Sequence, residues 1–486
     1  MSSRIAPVLN VLSKVVMLFS ATLVLPLALS WLTADGAQRA YDVSLIATFT
    51  AGALIWLFTR KAQRELQTRD GFLLVVLTWT SLPAFATLPL LIYLPHLSFT
   101  DAYFETVSGI TTTGATILTG LDALPLSINL WRGLLVWFGG MGLIVLAVAI
   151  LPLLGVGGMQ IYKAETPGPM KNTKLTPRIT ETAKGLYLVY VGISVACGLS
   201  YWMAGMTPFD AIMHTFSTMG LGGFSSHDAS FGYWNSPAIE AVTVVFMLVA
   251  GINFSTHFLA WRNRSASAYR LDPEVRWFLT VTLGSALIIA VYLTVMHVYP
   301  TFFQALRYAV FNTVSIATTT GFANTDYNKW PIFAPLCMLL LSCFASCSGS
   351  TGGGMKMVRA QLLFRQGRRE LTRLVHPAAR LPVKLAGQVV PNNVIYAVLA
   401  FAFLYVFAII IMTLLMALSG LEFITAFSAV VASINNTGPG LNQVGPASTY
   451  ASLTDFQTWI CTIAMLLGRL ELLTVLVVFT RAFWRA

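Results

Sequence analysis

Threonine and glycine oxygens at sharp turns are the groups of this chain best placed to do chemistry, and they recur in one pattern four times. The segments read DAYFETVSGITTTGAT (101–116), DAIMHTFSTMGLGGFS (210–225), YAVFNTVSIATTTGFA (308–323) and TAFSAVVASINNTGPG (425–440). Aligned without gaps, they place Gly114, Gly223, Gly321 and Gly438 in one column. Thr113, Gly222, Thr320 and Thr437 stand one position earlier, and Thr112, Leu221, Thr319 and Asn436 one before that. Glycine takes backbone angles closed to other residues, so carbonyls here can be aimed at a common point. A ring of carbonyls can replace the water shell of a dehydrated cation without adding a full charge that would trap it. Hydroxyls of Thr111 to Thr113 and Thr318 to Thr320 add further oxygens or brace the turns from behind.

Such turns need elements to hold them. Each segment reads as a short helix and its turn, set between two long apolar runs that fall near 71–94 and 128–154, 182–205 and 237–261, 276–298 and 332–364, and 391–418 and 456–483. Two further runs, 8–32 and 42–59, precede them, giving ten expected spans. A helix of about 20 apolar residues crosses a hydrocarbon core. The short segments are too short and too polar to do so and must re-enter. Irregular backbone at membrane depth survives only where protein buries it or a watery path lines it. Four aligned copies therefore point to a pore, whereas one Thr-Gly turn alone would be explained by close helix packing. Each short helix would also direct its partly negative C-terminal end at the centre.

Composition agrees. The 486 residues are 56% apolar and 10% charged, which excludes a water-soluble globule. The first apolar run is too long for a signal-peptide core and is read as a retained span. The net charge of +11 is not a nucleic-acid footprint, because Lys and Arg are segregated by loop, around 60–69, 163–184, 262–276 and 356–384. By the positive-inside rule those loops, and both termini, face the cytoplasm. The five cysteines lie in or beside apolar runs and read as packing residues. The 19 acidic residues are scattered, with no convergent catalytic set, which argues against an enzyme.

The turns, together with WFGGMGLIVLAVAILP at Trp137, NFSTHF at Asn253, SCSGSTGGGMK at Ser346 and NNTGPGL at Asn435, make the chain resemble the Trk/Ktr/HKT superfamily of potassium transport proteins, closest to its bacterial TrkH/TrkG membrane subunits. The resemblance covers nearly the whole chain. It implies an all-α polytopic membrane protein with two N-terminal helices (1–65) and four helix, pore-loop, helix repeats (66–165, 166–270, 271–385 and 386–486) around a pseudo-fourfold pore. It further implies potassium as substrate at a filter of Thr112, Thr113, Gly114, Leu221, Gly222, Gly223, Thr319, Thr320, Gly321, Asn436, Thr437 and Gly438. No cofactor bound by this chain is expected. The expected setting is a bacterial inner membrane, as a homodimer, with a cytosolic TrkA-like RCK subunit that binds nucleotide. The alternative is a secondary transporter coupling potassium to sodium or protons.

Gly349, Gly352, Gly353 and Gly354 break the apolar run 332–364. The resemblance implies a gate there, below the filter, and this reading is preferred to a glycine-rich kink for packing because a broken helix must line a cavity to be tolerated. The segment is not a phosphate loop, because Met355 separates Gly354 from Lys356. Arg469, inside the last apolar run, is expensive there unless it meets a partner or water. The resemblance sets it beneath the filter, where it either holds the gate loop by its carbonyls or raises a barrier to cations. Glu471, two positions on, is not an assured partner. Asp101 and Asp210 read as helix caps, Glu105, His214 and Asn312 as braces of the short helices, and His257 as a packing residue.

Overall fold

The computed structural model describes residues 5–62, 66–145 and 179–484. The end of the 128–154 run and most of the basic loop at 163–184 lie outside the described residues.

Six described helical spans are long and apolar enough to cross a membrane: Ala6–Thr33, Gln38–Thr59, Arg69–Tyr93, Lys184–Met203, Val275–Val295 and Asn392–Leu418. Leu126–Val145 completes the first repeat as far as it is described. Two runs expected as straight helices are instead bent pairs. Pro237–Ala250 turns by 92° into Phe254–Asn263, and Asp455–Arg469 turns by 108° into Leu472–Val478. The first bend is stabilised by Asn253, whose side chain caps the following helix through the Ser255 N–H at 2.8 Å. At the second bend Glu471 takes φ +61°, which no helix continues. The run 332–364 is broken outright, with Phe333–Ser342 separated from Met357–Val375 by the glycine-rich loop.

Between the long helices lie four short ones, Phe99–Ile110, Pro208–Gly220, Phe302–Ala317 and Phe423–Ile434. Ser98, Thr207 and Thr301 cap the first three through their hydroxyls. Asp101 and Asp210 are therefore not the caps themselves. They sit at the third helical position and accept from the cap hydroxyl, each at 2.8 Å, so the carboxylate orients the cap and meets the positive end of the helix.

Glycines let the long helices close on these short ones. A Cβ on Gly139 would lie 1.9 Å from the Ile110 carbonyl oxygen, and one on Gly468 would lie 1.9 Å from that of Ile434, the aligned residue three repeats later. The solvent logic is that of a bilayer. Large apolar side chains such as Leu18, Ile46, Leu188, Leu287 and Phe403 face outward, while Thr, Ser and Asn fill the centre around the turns. On the side of the basic loops, Lys384–Leu385 and Gln388–Val389 form a two-stranded hairpin whose tight turn, Ala386 and Gly387, has positive φ at both positions.

Candidate functional site

All four short helices end in the same hydrogen-bond motif. The N–H groups of Thr113, Gly222, Thr320 and Thr437 donate five residues back, to Ser108, Ser217, Ser315 and Ala432, at 2.8 to 3.0 Å. Those of Thr112, Leu221, Thr319 and Asn436 donate three residues back, to Gly109, Thr218, Ile316 and Ser433. This pair of bonds requires a left-handed residue where the helix stops. That position is usually glycine, yet here Thr112, Leu221, Thr319 and Asn436 hold φ of 56°, 54°, 61° and 53°. Two residues on, Gly114, Gly223, Gly321 and Gly438 are left-handed again, at 79°, 61°, 90° and 93°. Held non-glycine residues of this kind store strain that the surrounding structure must maintain.

The four turns meet in a closed cycle. A Cβ added to Gly114 would lie 2.1 Å from the Gly222 carbonyl oxygen, and one on Gly223 would lie 2.3 Å from that of Thr320. One on Gly321 would lie 2.1 Å from the Thr437 oxygen, and one on Gly438 would lie 2.6 Å from the Thr113 oxygen. Each repeat thus presents the carbonyl before its own aligned glycine to the glycine of the preceding repeat, and the fourth contact returns to the first. All twelve residues read from sequence as the cation-binding set lie in these turns. The hydroxyls of Thr111 and Thr318 bond those of Thr113 and Thr320, each pair at 2.7 Å, and so brace the turns. On the side away from the basic loops, a cavity of about 380 Å³ is lined by the four aligned glycines.

The expected braces lie behind the ring. Glu105 accepts from the Thr116 hydroxyl and the Ile117 N–H at 3.0 Å, His214 Nε2 pairs with the Ser225 hydroxyl at 2.9 Å, and Asn312 donates to the Asn324 side-chain oxygen at 2.6 Å. Arg132 was not singled out from sequence, although a lone charge inside an apolar run was a usable signal. Its guanidinium is 1% exposed, donates to Glu105 at 2.9 Å and to the Ser225 carbonyl at 2.9 Å, and so ties the first turn to the second. A further tie between repeats joins Glu240 to Arg307 at 2.7 Å.

The glycine-rich loop lies directly under the ring and touches every repeat. The Gly353 N–H donates to the Thr319 hydroxyl at 2.7 Å, and a Cβ on Gly353 would lie 2.0 Å from the Asn435 carbonyl oxygen. The Thr351 hydroxyl donates to the Met219 carbonyl at 2.9 Å. Arg469 donates to the Thr351 carbonyl at 2.9 Å and to that of Gly139 at 3.1 Å. Glu274 accepts from the N–H groups of Ser348 and Val358, at 3.0 and 2.9 Å, and so fastens both ends of the loop. Lys356 donates to the Gly352 carbonyl, and Glu471 pairs with Arg359 at 2.9 Å instead of with its neighbour Arg469. Gly349, Gly352, Gly353, Gly354 and Arg469 line a cavity of about 80 Å³. His257 bonds Tyr269 and the Val249 carbonyl, each at 2.9 Å, across the 92° bend.

The family described as "TrkH: Cation transport protein" matches residues 39–485. The chain belongs to the TrkH family of cation transport proteins. It is 48% identical over 479 residues to a Trk system potassium uptake protein TrkH of Halomonas elongata, covering 98% of this chain and 99% of that one. It is 36% identical to the Trk system potassium uptake protein TrkG of Escherichia coli, covering 100% of both chains. The crystal structure of the potassium transporter TrkH from Vibrio parahaemolyticus superposes with a TM-score of 0.91 at 43% identity, covering 100% of both chains. The TrkH family assignment makes this a mostly helical polytopic transport protein and not an enzyme, built on a pseudo-fourfold plan.

Proposed function

We propose that the chain carries potassium ions into the cell through the centre of the four-turn ring. The cyclic contact of the four left-handed turns supports this reading, because it brings the carbonyls of Thr113, Gly222, Thr320 and Thr437 together in one closed circuit where four short helices end. The potassium uptake named for its TrkH and TrkG relatives supports the choice of ion. The membrane potential supplies a driving force of about 2.3 kcal/mol per charge for each 100 mV.

The glycine-rich loop and Arg469 act as the gate. The loop blocks the axis on the side of the basic loops, and the basic helix Met357–Val375 follows it without a linker. A cytosolic TrkA-like subunit that binds nucleotide and moves this helix would move the gate. The assembly is a homodimer in a bacterial inner membrane, with both termini in the cytoplasm.

The test is flux of potassium, rubidium, sodium and lithium into liposomes holding the purified protein under an imposed potential, comparing wild type with Gly321→Ser. Potassium and rubidium flux that loses its selectivity, or is lost, in a correctly folded Gly321→Ser protein supports the ring. Flux that demands an opposing sodium or proton gradient would replace this reading with a coupled carrier.

A further inference from the structure

The four aligned glycines are not equivalent in hydrogen bonding. Tyr450, in the segment that returns from the fourth turn, is fully buried, and its hydroxyl donates to the carbonyl oxygen of Gly438 at 2.7 Å. Its ring packs on Phe104 with centroids 5.3 Å apart, and its N–H donates to the Thr116 carbonyl at 2.9 Å, so the side chain is fixed from the first repeat. Among the described residues no donor reaches the carbonyls of Gly114, Gly223 or Gly321.

We propose that Tyr450 is a specificity-determining residue that weakens one of the four equivalent carbonyl oxygens as a ligand for the passing cation. The inference rests on the reading of the ring as the ion path. A carbonyl oxygen offers two lone pairs. A hydroxyl proton held on one of them competes with the cation for the oxygen and sets a partial positive charge beside it. The level of the aligned glycines then offers three strong ligands and one weak one. Potassium, the larger ion, is held by more coordinating oxygens than sodium, so occupying one of them costs potassium the more. The hydroxyl therefore lowers discrimination while leaving the passage intact.

Tyr450→Phe removes the hydroxyl and keeps the ring on Phe104. The measurement is the potassium to sodium permeability ratio from reversal potentials in planar bilayers, with thermal unfolding in detergent as a check on the fold. The ratio is expected to rise about three- to tenfold, the worth of one hydrogen bond. An unchanged ratio overturns the proposal, and so does a lower one, which would make the hydroxyl a brace of the fourth turn. Gly321→Ser, measured in parallel, separates the two levels. A shifted ratio in Gly321→Ser with none in Tyr450→Phe removes the role of Tyr450 alone, whereas no shift in either removes the ring as the ion path.

Discussion

Arg469 donates to the carbonyl of Thr351 across 2.9 Å, joining the last long helix to the glycine-rich loop. A second nitrogen holds the Gly139 carbonyl of the first repeat, so one buried cation spans the loop and two repeats. Hydrogen bonds from a charged group are worth about 1.5 to 3 kcal/mol, so Arg469→Gln should release the loop and raise potassium flux about tenfold or more in protein without any partner. Liposome flux with matched protein content measures this. Flux equal to wild type would show that the arginine does not hold the gate.

Gly353 has no room for a side chain, since its Cβ would overlap the Asn435 carbonyl oxygen at 2.0 Å. Gly353→Ala should displace the loop from the ring, with higher resting flux and unchanged ion selectivity. A variant with normal resting flux and altered selectivity would place the loop in the filter and not beneath it.

The Arg132 and Glu105 pair is buried on both sides. Removing one member of such a pair costs about 3 to 5 kcal/mol, because the other is left as an unpaired buried charge. Arg132→Met should therefore lower the unfolding midpoint in detergent more than the double variant Arg132→Met with Glu105→Gln. If the double variant is the less stable, the contact to the Ser225 carbonyl carries the stability instead of the charge pair.

His227 joins loops of two repeats, pairing with Asp122 and lying 3.3 Å from Asp210. Burial lowers its pKa, but the hydrogen bonds to Asp210 and Asp122 outweigh that, and the net shift is upward from the ordinary histidine value. A group raised in the folded state contributes its full stability below its unfolded pKa of about 6.5 and loses it as pH rises through the folded value. Wild-type protein should lose stability on going from about pH 6 to above the raised value, and His227→Gln should lose less over the same window. Thermal unfolding across that range decides it, and equal slopes would dissociate His227 from the pH response.

Much of this architecture was legible because turns packed backbone against backbone leave their trace in glycine and threonine, the residues that permit them. The gap-free match of the four segments gave the turns, and the lone Arg469 gave the tie under them. The three departures are of another kind. The bends at 251–253 and 470–471 follow from caps and a left-handed glutamate, which hydropathy does not register. The caps belong to Ser98 and Thr207, three residues before the aspartates, and both readings satisfy the same sequence pattern. Arg132 and Tyr450 owe their positions to contacts between repeats, which no single segment encodes.

The contacts of the ring all run one way, each turn leaning on the next, and the last leans on the first. Such a circuit has no free end at which a misfit can be absorbed. A bulky residue accepted at one aligned glycine must push the neighbouring carbonyl outward, and that turn must then push its own neighbour. The aperture should thus widen or narrow as a single body, like an iris, even though each of its four leaves has a different sequence.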